Sequence, residues 1–247
     1  MHGAWFIHGM LEDERNWSAL IECLGIGDAR VERFPWSAQS GQYWGVGVDC
    51  KHWIDRIDQR DRAPPGMMVA HSYGCNVLLE YLLAQPDRQP EVLVLVSPFF
   101  RESKDDVTWA TLQQLIDGLE GLIAESIQFS DRGHRYSGEL LEDIITRIRD
   151  RLGVYGWVQF LQLFLNAPNL ELHKLRSRTL VVSGDRDGYC PVDSLILLGQ
   201  RISDSAVHII PSGGHFAQLT HARQVADEIC RFINNVCSQP REVINEL

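Results

Sequence analysis

The sequence lacks an apolar run long enough to cross a bilayer, and its first residues lack the basic and apolar leader of an exported protein. It also lacks an excess of positive charge, because 33 acidic residues outnumber 23 basic ones and give a formal net charge of −10. Such a chain has no overall electrostatic attraction to nucleic acid or to an anionic membrane. We therefore expect a soluble, cytoplasmic protein that binds neither.

Cysteine pairs, metal-ligand spacings and phosphate loops are missing as well. The six cysteines form no C-x-x-C pair and are too sparse for a disulfide scaffold, which indicates reduced thiols. The nine histidines show no short spacing such as H-x-x-x-H, and there is no P-loop or G-x-G-x-x-G motif. We expect neither a metal ion nor a cofactor.

What the sequence does contain is an alternation of apolar runs with helical patterns. Apolar runs that predict strands lie at 4–8, 31–34, 67–70, 92–96, 179–182 and 206–210. Most of them are continuous rather than alternating, which is typical of strands buried on both faces of a parallel sheet. We predict a mostly parallel, doubly wound α/β sheet whose functional residues follow the carboxyl ends of its strands.

The alternation stops between residues 98 and 174, where three apolar stripes at helical spacing follow one another. We predict a helical cap over 98–174, inserted into a core formed by 1–97 and 175–238. A polar tail is expected at 239–247.

Residues that can carry chemistry follow three of the predicted strands. Ser72 lies in a small-x-Ser-x-Gly turn between a strand and a helix, Asp185 and Asp187 follow the run at 179–182, and His215 follows the last strand. A serine hydroxyl is a weak nucleophile unless a neighbouring base accepts its proton and amide hydrogens meet the developing charge. A strand-turn-helix corner presents the hydroxyl for this purpose, so the pattern predicts a nucleophilic site.

These motifs, in this order and together with His8-Gly9 after the first strand, resemble those of the α/β-hydrolases over nearly the whole chain. Ala70 replaces the first glycine of the usual G-x-S-x-G turn. The family's acid usually stands just before an x-x-x-Pro segment, which implies Asp187, with Asp185 as the alternative.

The resemblance implies a role for each matching residue in a hydrolase that needs no cofactor. Ser72 would be the nucleophile, Asp187 the acid and His215 the base. The backbone amides of Met10 and Tyr73 would form the oxyanion hole.

Several further residues are candidates for substrate contact. The loop containing Trp36, Tyr43 and Trp44 either lines a pocket or packs on the surface. The third cap stripe either lines a substrate channel or is buried in the core. The candidate substrate-binding residues are His8, Trp36, Tyr43, Trp44, Trp157, Phe160 and Phe164.

Within the superfamily, the H-G strand near the start, the cap and the S-P-x-F segment beginning at Ser97 are similar to the pimeloyl-[acyl-carrier protein] methyl ester esterases of biotin synthesis. That resemblance implies a carrier-linked methyl ester and basic cap residues that meet an acidic carrier protein. The candidate docking residues, which are otherwise a solvated basic stretch, are Arg132, Arg135, Arg147 and Arg151.

Other functions are compatible with the same fold and motifs. One group comprises other enzymes on this triad, namely a type II thioesterase, a lyase or a cofactor-free perhydrolase. The other is a slow-turnover ligand-binding receptor. We expect a monomer that acts on a small-molecule or carrier-linked ester.

Overall fold

The computed structural model of the chain describes residues 3–32, 63–129 and 136–238. Within these ranges a single sheet of six strands has the order β2-β1-β3-β4-β5-β6, and every neighbouring pair is parallel. The strands are β1 (Ala4–Ile7), β2 (Ala29–Glu32), β3 (Met67–His71), β4 (Val92–Val96), β5 (Arg178–Gly184) and β6 (Ser205–Ile210). The predicted doubly wound α/β fold is confirmed.

Helices cover both faces of this sheet. The α-helices of the described residues are α1 (Ser18–Leu24), α2 (Tyr73–Ala84), α3 (Trp109–Gln128), α4 (Glu139–Asn166), α5 (Val192–Arg201), α6 (Ala217–Thr220) and α7 (Ala222–Ser238). One core cluster joins α2 and α5 to the sheet, and a second cluster joins α1, α6 and α7 to its other face. Alternate residues of β4 enter the two clusters, Leu93 and Leu95 on one side and Val92 and Val94 on the other. This two-sided burial is the reason that the strand sequences are continuous apolar runs.

The edge strand β2 begins earlier than the sequence pattern predicts. It starts at Ala29 and is described as far as Glu32, whereas the apolar run predicts a strand at 31–34; residues 33 and 34 lie outside the described ranges. Ala29 and Val31 pack against the core, whereas Arg30 places its guanidinium 4.8 Å from the ring centroid of Trp5. An edge strand covered in this way alternates in polarity, so its start is not marked by an apolar run. The helical pattern predicted at 50–57 lies outside the described ranges.

The described residues between β4 and β5 are mostly helical, and we call α3 and α4 together the cap. Gly153 interrupts α4 with φ 62° and ψ −179°, so the cap consists of three helical segments that match the three apolar stripes. Leu119, Ile123, Ile127 and Leu152 form its buried centre. The loop after β1 packs against this cluster, which ties the cap to the carboxyl end of the sheet. The boundaries 98 and 174 stay a prediction.

Two further properties can be read from the described residues. None of their helices is both long and apolar enough to cross a membrane. Their thiols at Cys23, Cys75, Cys190 and Cys230 are free.

Candidate active site

Ser72, His215 and Asp187 form one hydrogen-bonded line at the carboxyl end of the sheet. The hydroxyl of Ser72 lies 2.9 Å from Nε2 of His215, and Nδ1 of His215 lies 3.1 and 3.0 Å from the two carboxylate oxygens of Asp187. The three residues follow β3, β6 and β5, whose carboxyl ends point to the same edge of the sheet. Asp185 is exposed, and the structure does not bring it to the histidine in this line.

The carboxylate of Asp187 is buried but well supplied with donors. One oxygen accepts the backbone N–H groups of Tyr189 at 2.9 Å and Cys190 at 3.0 Å, and the other accepts the hydroxyl of Ser183 at 2.9 Å. Burial alone would raise the pKa of Asp187, but the charge and hydrogen bonds of His215, with these amides, lower it from 3.8 to about 2. The ionised carboxylate accepts the proton of Nδ1, which leaves Nε2 of His215 as an acceptor for the serine hydroxyl.

The serine lies in a strained turn between β3 and α2. Its φ of 50° and ψ of −124° are uncommon for a residue with a side chain. A Cβ atom at Gly74 would lie 2.5 Å from the carbonyl oxygen of His8, so only glycine lets α2 approach β1 this closely. Ala70, by contrast, is an ordinary buried residue of β3, paired with Ile7 and Leu95. The tight point of the turn is therefore Gly74, and the alanine in place of the usual first glycine belongs to the regular strand.

A second close approach joins the acid loop to the histidine loop. A Cβ atom at Gly184, the last residue of β5, would lie 1.9 Å from the carbonyl oxygen of Gly213. That carbonyl accepts the N–H of Arg186 at 2.9 Å. The glycines of the two sequence motifs thus allow the loops carrying Asp187 and His215 to pack directly on each other.

Backbone strain in the described residues concentrates at this end of the sheet. The non-glycine residues with positive φ are Leu11, Ser72, Ser97 and Ser212, which lie in the loops after β1, β3, β4 and β6. Each such residue costs on the order of 1–3 kcal/mol and persists only where its surroundings hold it. These four loops are the ones that surround Ser72 and His215.

The predicted oxyanion donors lie in the segments that follow β1 and β3, which are neighbouring strands of the sheet. Tyr73 is the first residue of α2, so its N–H belongs to the helix N-terminus, where amides lack partners within the helix and favour negative charge. Met10 lies in the loop after β1 and contacts both the sheet core and the cap cluster. Their use as an oxyanion hole stays a prediction.

A layer of buried polar residues lies beneath the triad, and no sequence pattern indicates it. The carbonyl oxygen of His215 accepts hydrogen bonds from Nε2 of His71 and from the hydroxyl of Ser97, each at 2.9 Å. Nδ1 of His71 lies 2.6 Å from a carboxylate oxygen of Glu12. Positions 12 and 71 are 59 residues apart, so no local sequence pattern predicts this pairing.

The cap brings to the site a further carboxylate that no sequence pattern indicates. An oxygen of the Glu125 side chain, on α3, would lie 2.9 Å from a Cβ atom built on Gly214, the residue before His215. Burial raises the pKa of Glu125, the charge of His215 opposes this rise, and the charge of Asp187 adds to it. The apolar stripe of α3 shows which of its residues face a core. It does not show that α3 packs on the loop that carries His215.

The candidate substrate-binding residues fall into three groups. Phe160 is half-buried, and its ring centroid lies 6.2 Å from that of Tyr73, 5.7 Å from that of Phe99 and 5.8 Å from that of Trp157. Phe164 is 1% exposed and His8 is completely buried, so both pack behind the site rather than forming an open wall. The remaining three, Trp36, Tyr43 and Trp44, lie outside the described residues.

Two of the four candidate docking arginines lie within the described part of the cap. Arg147 and Arg151 are both exposed on α4, but the guanidinium of Arg147 donates to the carboxylate of Asp143 at 2.8 Å. The other two, Arg132 and Arg135, lie outside the described residues.

One group of side chains in the described ranges has the proximity required of a metal site. Donor atoms of Asp187, Cys190 and His215 lie within 4.8 Å of one another. Burial raises the pKa of the Cys190 thiol well above its ordinary value, and its Sγ donates to the carbonyl of Ser97 at 3.1 Å. Because a thiol binds metal as the thiolate, this donor set does not favour an ion.

The family of this chain follows from a comparison with known protein families. A profile of the alpha/beta hydrolase family matches residues 1–228. The chain belongs to the alpha/beta hydrolase family. The expected membership is therefore confirmed at this level, whereas nothing supports the narrower resemblance to pimeloyl-[acyl-carrier protein] methyl ester esterases.

Individual relatives of this alpha/beta hydrolase are distant. A poly(3-hydroxyalkanoate) depolymerase of Ectopseudomonas oleovorans is 34% identical over 103 residues, which cover 41% of this chain and only 35% of the depolymerase. The structure of a membrane phospholipase A has a TM-score of 0.73 at 18% identity over 96% of this chain and 80% of that one. The structure of a bromoperoxidase from Bacillus anthracis has a TM-score of 0.68 at 20% identity, and the match covers 94% of this chain and 92% of the bromoperoxidase. At such identities the solved structures support the fold alone.

Proposed function

We propose that this alpha/beta hydrolase cleaves a carboxylic ester with a neutral, apolar acyl group, using Ser72, His215 and Asp187 as its catalytic triad. The observation that carries the proposal is the unbroken hydrogen-bonded line from the serine hydroxyl through the imidazole to the buried carboxylate. This arrangement supplies a nucleophile, a base and a group that orients the base.

The reaction follows from the atoms present. The hydroxyl oxygen of Ser72 attacks the ester carbonyl while Nε2 of His215 takes its proton, and Asp187 stabilises the resulting imidazolium. The amides of Met10 and Tyr73 would bind the oxyanion, at typically about 3–4 kcal/mol for each donor. His215 then protonates the departing alcohol, and a water molecule, deprotonated by the same imidazole, releases the acid and regenerates the serine.

The surroundings of the serine favour an apolar acyl group without negative charge. Phe160 lies next to Tyr73, the residue that follows the nucleophile, and Phe99 and Trp157 extend the same aromatic cluster. Glu125 places a carboxylate close to His215, so an anionic group beside the scissile bond would be repelled whenever that carboxylate is charged. The relative that degrades a polyester, a poly(3-hydroxyalkanoate), is consistent with ester cleavage by this fold.

The test is hydrolysis of p-nitrophenyl esters together with covalent labelling by a fluorophosphonate. We expect both in the parent protein and neither in Ser72→Ala, because no other nucleophile is proposed. The matched control is Ser203→Ala, which removes an exposed hydroxyl in the turn before β6 and should leave both signals unchanged. If Ser72→Ala keeps its activity, the proposal fails.

The same assay separates the narrower and the alternative functions. A methyl ester of pimeloyl-[acyl-carrier protein], an acyl thioester and a monoester of a dicarboxylic acid are compared with a neutral octanoyl ester. We expect the neutral octanoyl ester to exceed the anionic monoester in kcat/KM. A preference for the carrier-linked methyl ester would support the biotin-pathway function, and a preference for the thioester would support a thioesterase. A single burst of product without turnover would indicate a ligand-binding receptor.

A further inference from the structure

Glu12 and His71 are two buried polar side chains that take no direct part in the proposed reaction. Their side chains are 4% and 0% exposed, and Oε1 of Glu12 lies 2.6 Å from Nδ1 of His71. The other carboxylate oxygen accepts the N–H of Gly9 at 2.9 Å, and the other ring nitrogen lies 2.9 Å from the carbonyl oxygen of His215. Hydrogen bonds therefore run without a break from the loop after β1, through the end of β3, to the loop after β6.

The protons of this network can be assigned by counting donors. The carbonyl of His215 can only accept, so Nε2 of His71 carries a proton. One more proton lies between Nδ1 and the carboxylate of Glu12. Burial opposes both charged forms, but the charge of Glu12 raises the pKa of His71, and His71 lowers the pKa of Glu12. The pair is therefore an imidazolium and a carboxylate, in a site also faced by His8, Asp187, Glu125 and His215.

The carboxylate of Glu12 holds the loop that carries the predicted oxyanion donor. Met10 stands between Gly9, whose N–H donates to Glu12, and Leu11, whose φ of 64° is unfavourable for leucine. A Cβ atom at Gly9 would lie 2.5 Å from Oε1 of Glu12 and 3.0 Å from Nδ1 of His71. The pair thus packs directly on this backbone, which accounts for the glycine of the His8-Gly9 motif.

The imidazole of His71 holds the other side of the site. The rings of His71 and His215 are 4.9 Å apart between centroids, and the carbonyl of His215 is fixed by His71 and by the hydroxyl of Ser97. The side chain of His215 is oriented by Asp187, but the position of its backbone depends on these two donors.

We propose that Glu12 and His71 act as a positioning pair, which fixes the oxyanion loop and the loop of the base at the separation that hydrolysis needs. The pair forms its hydrogen bonds to the backbone of Gly9 and His215, and acts through Met10 and His215. The inference rests on the proposed serine hydrolase function. Displacement of a catalytic group by about 1 Å can lower a rate by about 100-fold, so the expected signature is a fall in kcat.

The experiment compares Glu12→Ala with Glu12→Gln, with kcat expressed per fluorophosphonate-labelled site. In Glu12→Ala, kcat should fall by about 10- to 100-fold while KM changes by less than about 2-fold. In Glu12→Gln, kcat should stay within about 3-fold of the parent, because the amide oxygen can accept from Gly9 and the amide N–H can donate to a neutral His71. The control, Ser177→Ala, removes a buried hydrogen bond to the carbonyl of Pro90 before β5 and should leave kcat unchanged.

Several outcomes would overturn the positioning role. These are an unchanged kcat in Glu12→Ala, a loss in Glu12→Gln as large as that in Glu12→Ala, or a similar loss of kcat in Ser177→Ala. If Glu12→Ala does not fold, Glu12→Asp keeps the charge but withdraws the carboxylate by one methylene, and its kcat should fall at unchanged KM. Persistent activity in Ser72→Ala would instead refute the hydrolase mechanism itself, so the two failures are distinguishable.

Discussion

At the carboxyl end of the sheet, polar side chains are buried and paired through short hydrogen bonds, whereas on the cap large apolar side chains face solvent. His71, Ser97 and Ser183 are all 0% exposed, and each has a hydrogen-bond partner. On the cap, Trp109 is 85% exposed and Val154 is 76% exposed. Buried polar networks hold one arrangement, because any unpaired member is costly. An apolar surface tolerates changes of shape, so we infer that the sheet fixes the chemistry and that the cap sets which acyl group enters.

Among the residues at the end of the sheet, the largest effect on kcat is expected from changing the carboxylate that orients the base. We expect Asp187→Asn to lower kcat by roughly 10⁴-fold, since the amide favours the wrong tautomer of His215. Asp185→Asn, in the same loop but exposed, should lower kcat far less. Steady-state kinetics on a p-nitrophenyl ester provide the measurement. The reverse ranking of the two variants would transfer the acid role to Asp185.

A smaller and selective effect is expected on the cap side. Phe160→Ala removes the ring that joins the cap to Tyr73, and should lower kcat/KM for an octanoyl ester by about 10-fold through lost apolar contact. Hydrolysis of the acetyl ester should change by less than about 3-fold, because the triad is untouched. The comparison variant is Val158→Ala, an exposed position on the same helix segment. An equal loss on both esters would show that Phe160 supports the triad rather than acyl selection.

The smallest effect concerns stability and pH. The pKa of Asp187 is lowered from 3.8 to about 2 in the folded protein. Its ionised form therefore contributes stability at pH values above 3.8, and this contribution disappears as the pH falls through 2. From that shift we expect ionised Asp187 to add about 2 kcal/mol to the free energy of unfolding at neutral pH. About 1 kcal/mol of this contribution is lost by about pH 3. Urea unfolding of the parent and Asp187→Asn at both pH values measures it. A free-energy difference that does not shrink in acid would contradict the ionised, buried carboxylate.

Sequence patterns predict best the strands that are marked by their own apolar residues. The apolar runs mark β3, β4 and β5 because each strand is buried on both faces. The line of Ser72, Asp187 and His215 follows from this, since parallel strands bring their carboxyl ends to one edge. The sequence therefore predicted the sheet and the residues of this line.

What the sequence did not predict depends on contacts between distant segments. The pairing of Glu12 with His71 joins two loops 59 residues apart, and neither residue has a neighbour in sequence that indicates its partner. Glu125 lies on a helix whose apolar stripe is clear, but its approach to Gly214 depends on how the cap packs on the sheet. The start of the edge strand β2 at Ala29 was not predicted, because Arg30 stands between the core-facing residues Ala29 and Val31 and interrupts the apolar pattern.

The insertion of the cap between β4 and β5 also affects how the protein is made. β4 (Val92–Val96) is completely buried in the finished sheet, and its neighbour β5 begins only at Arg178, so about a third of the chain separates the two pairing partners. At roughly 5–20 residues per second, the ribosome needs on the order of 4–16 s to add that segment. During this time the apolar strand β4 has one unpaired edge, and an exposed apolar edge strand promotes aggregation. The nascent protein also lacks the proposed base until His215 emerges, so the proposed hydrolysis cannot begin before residues 1–215 have been synthesised.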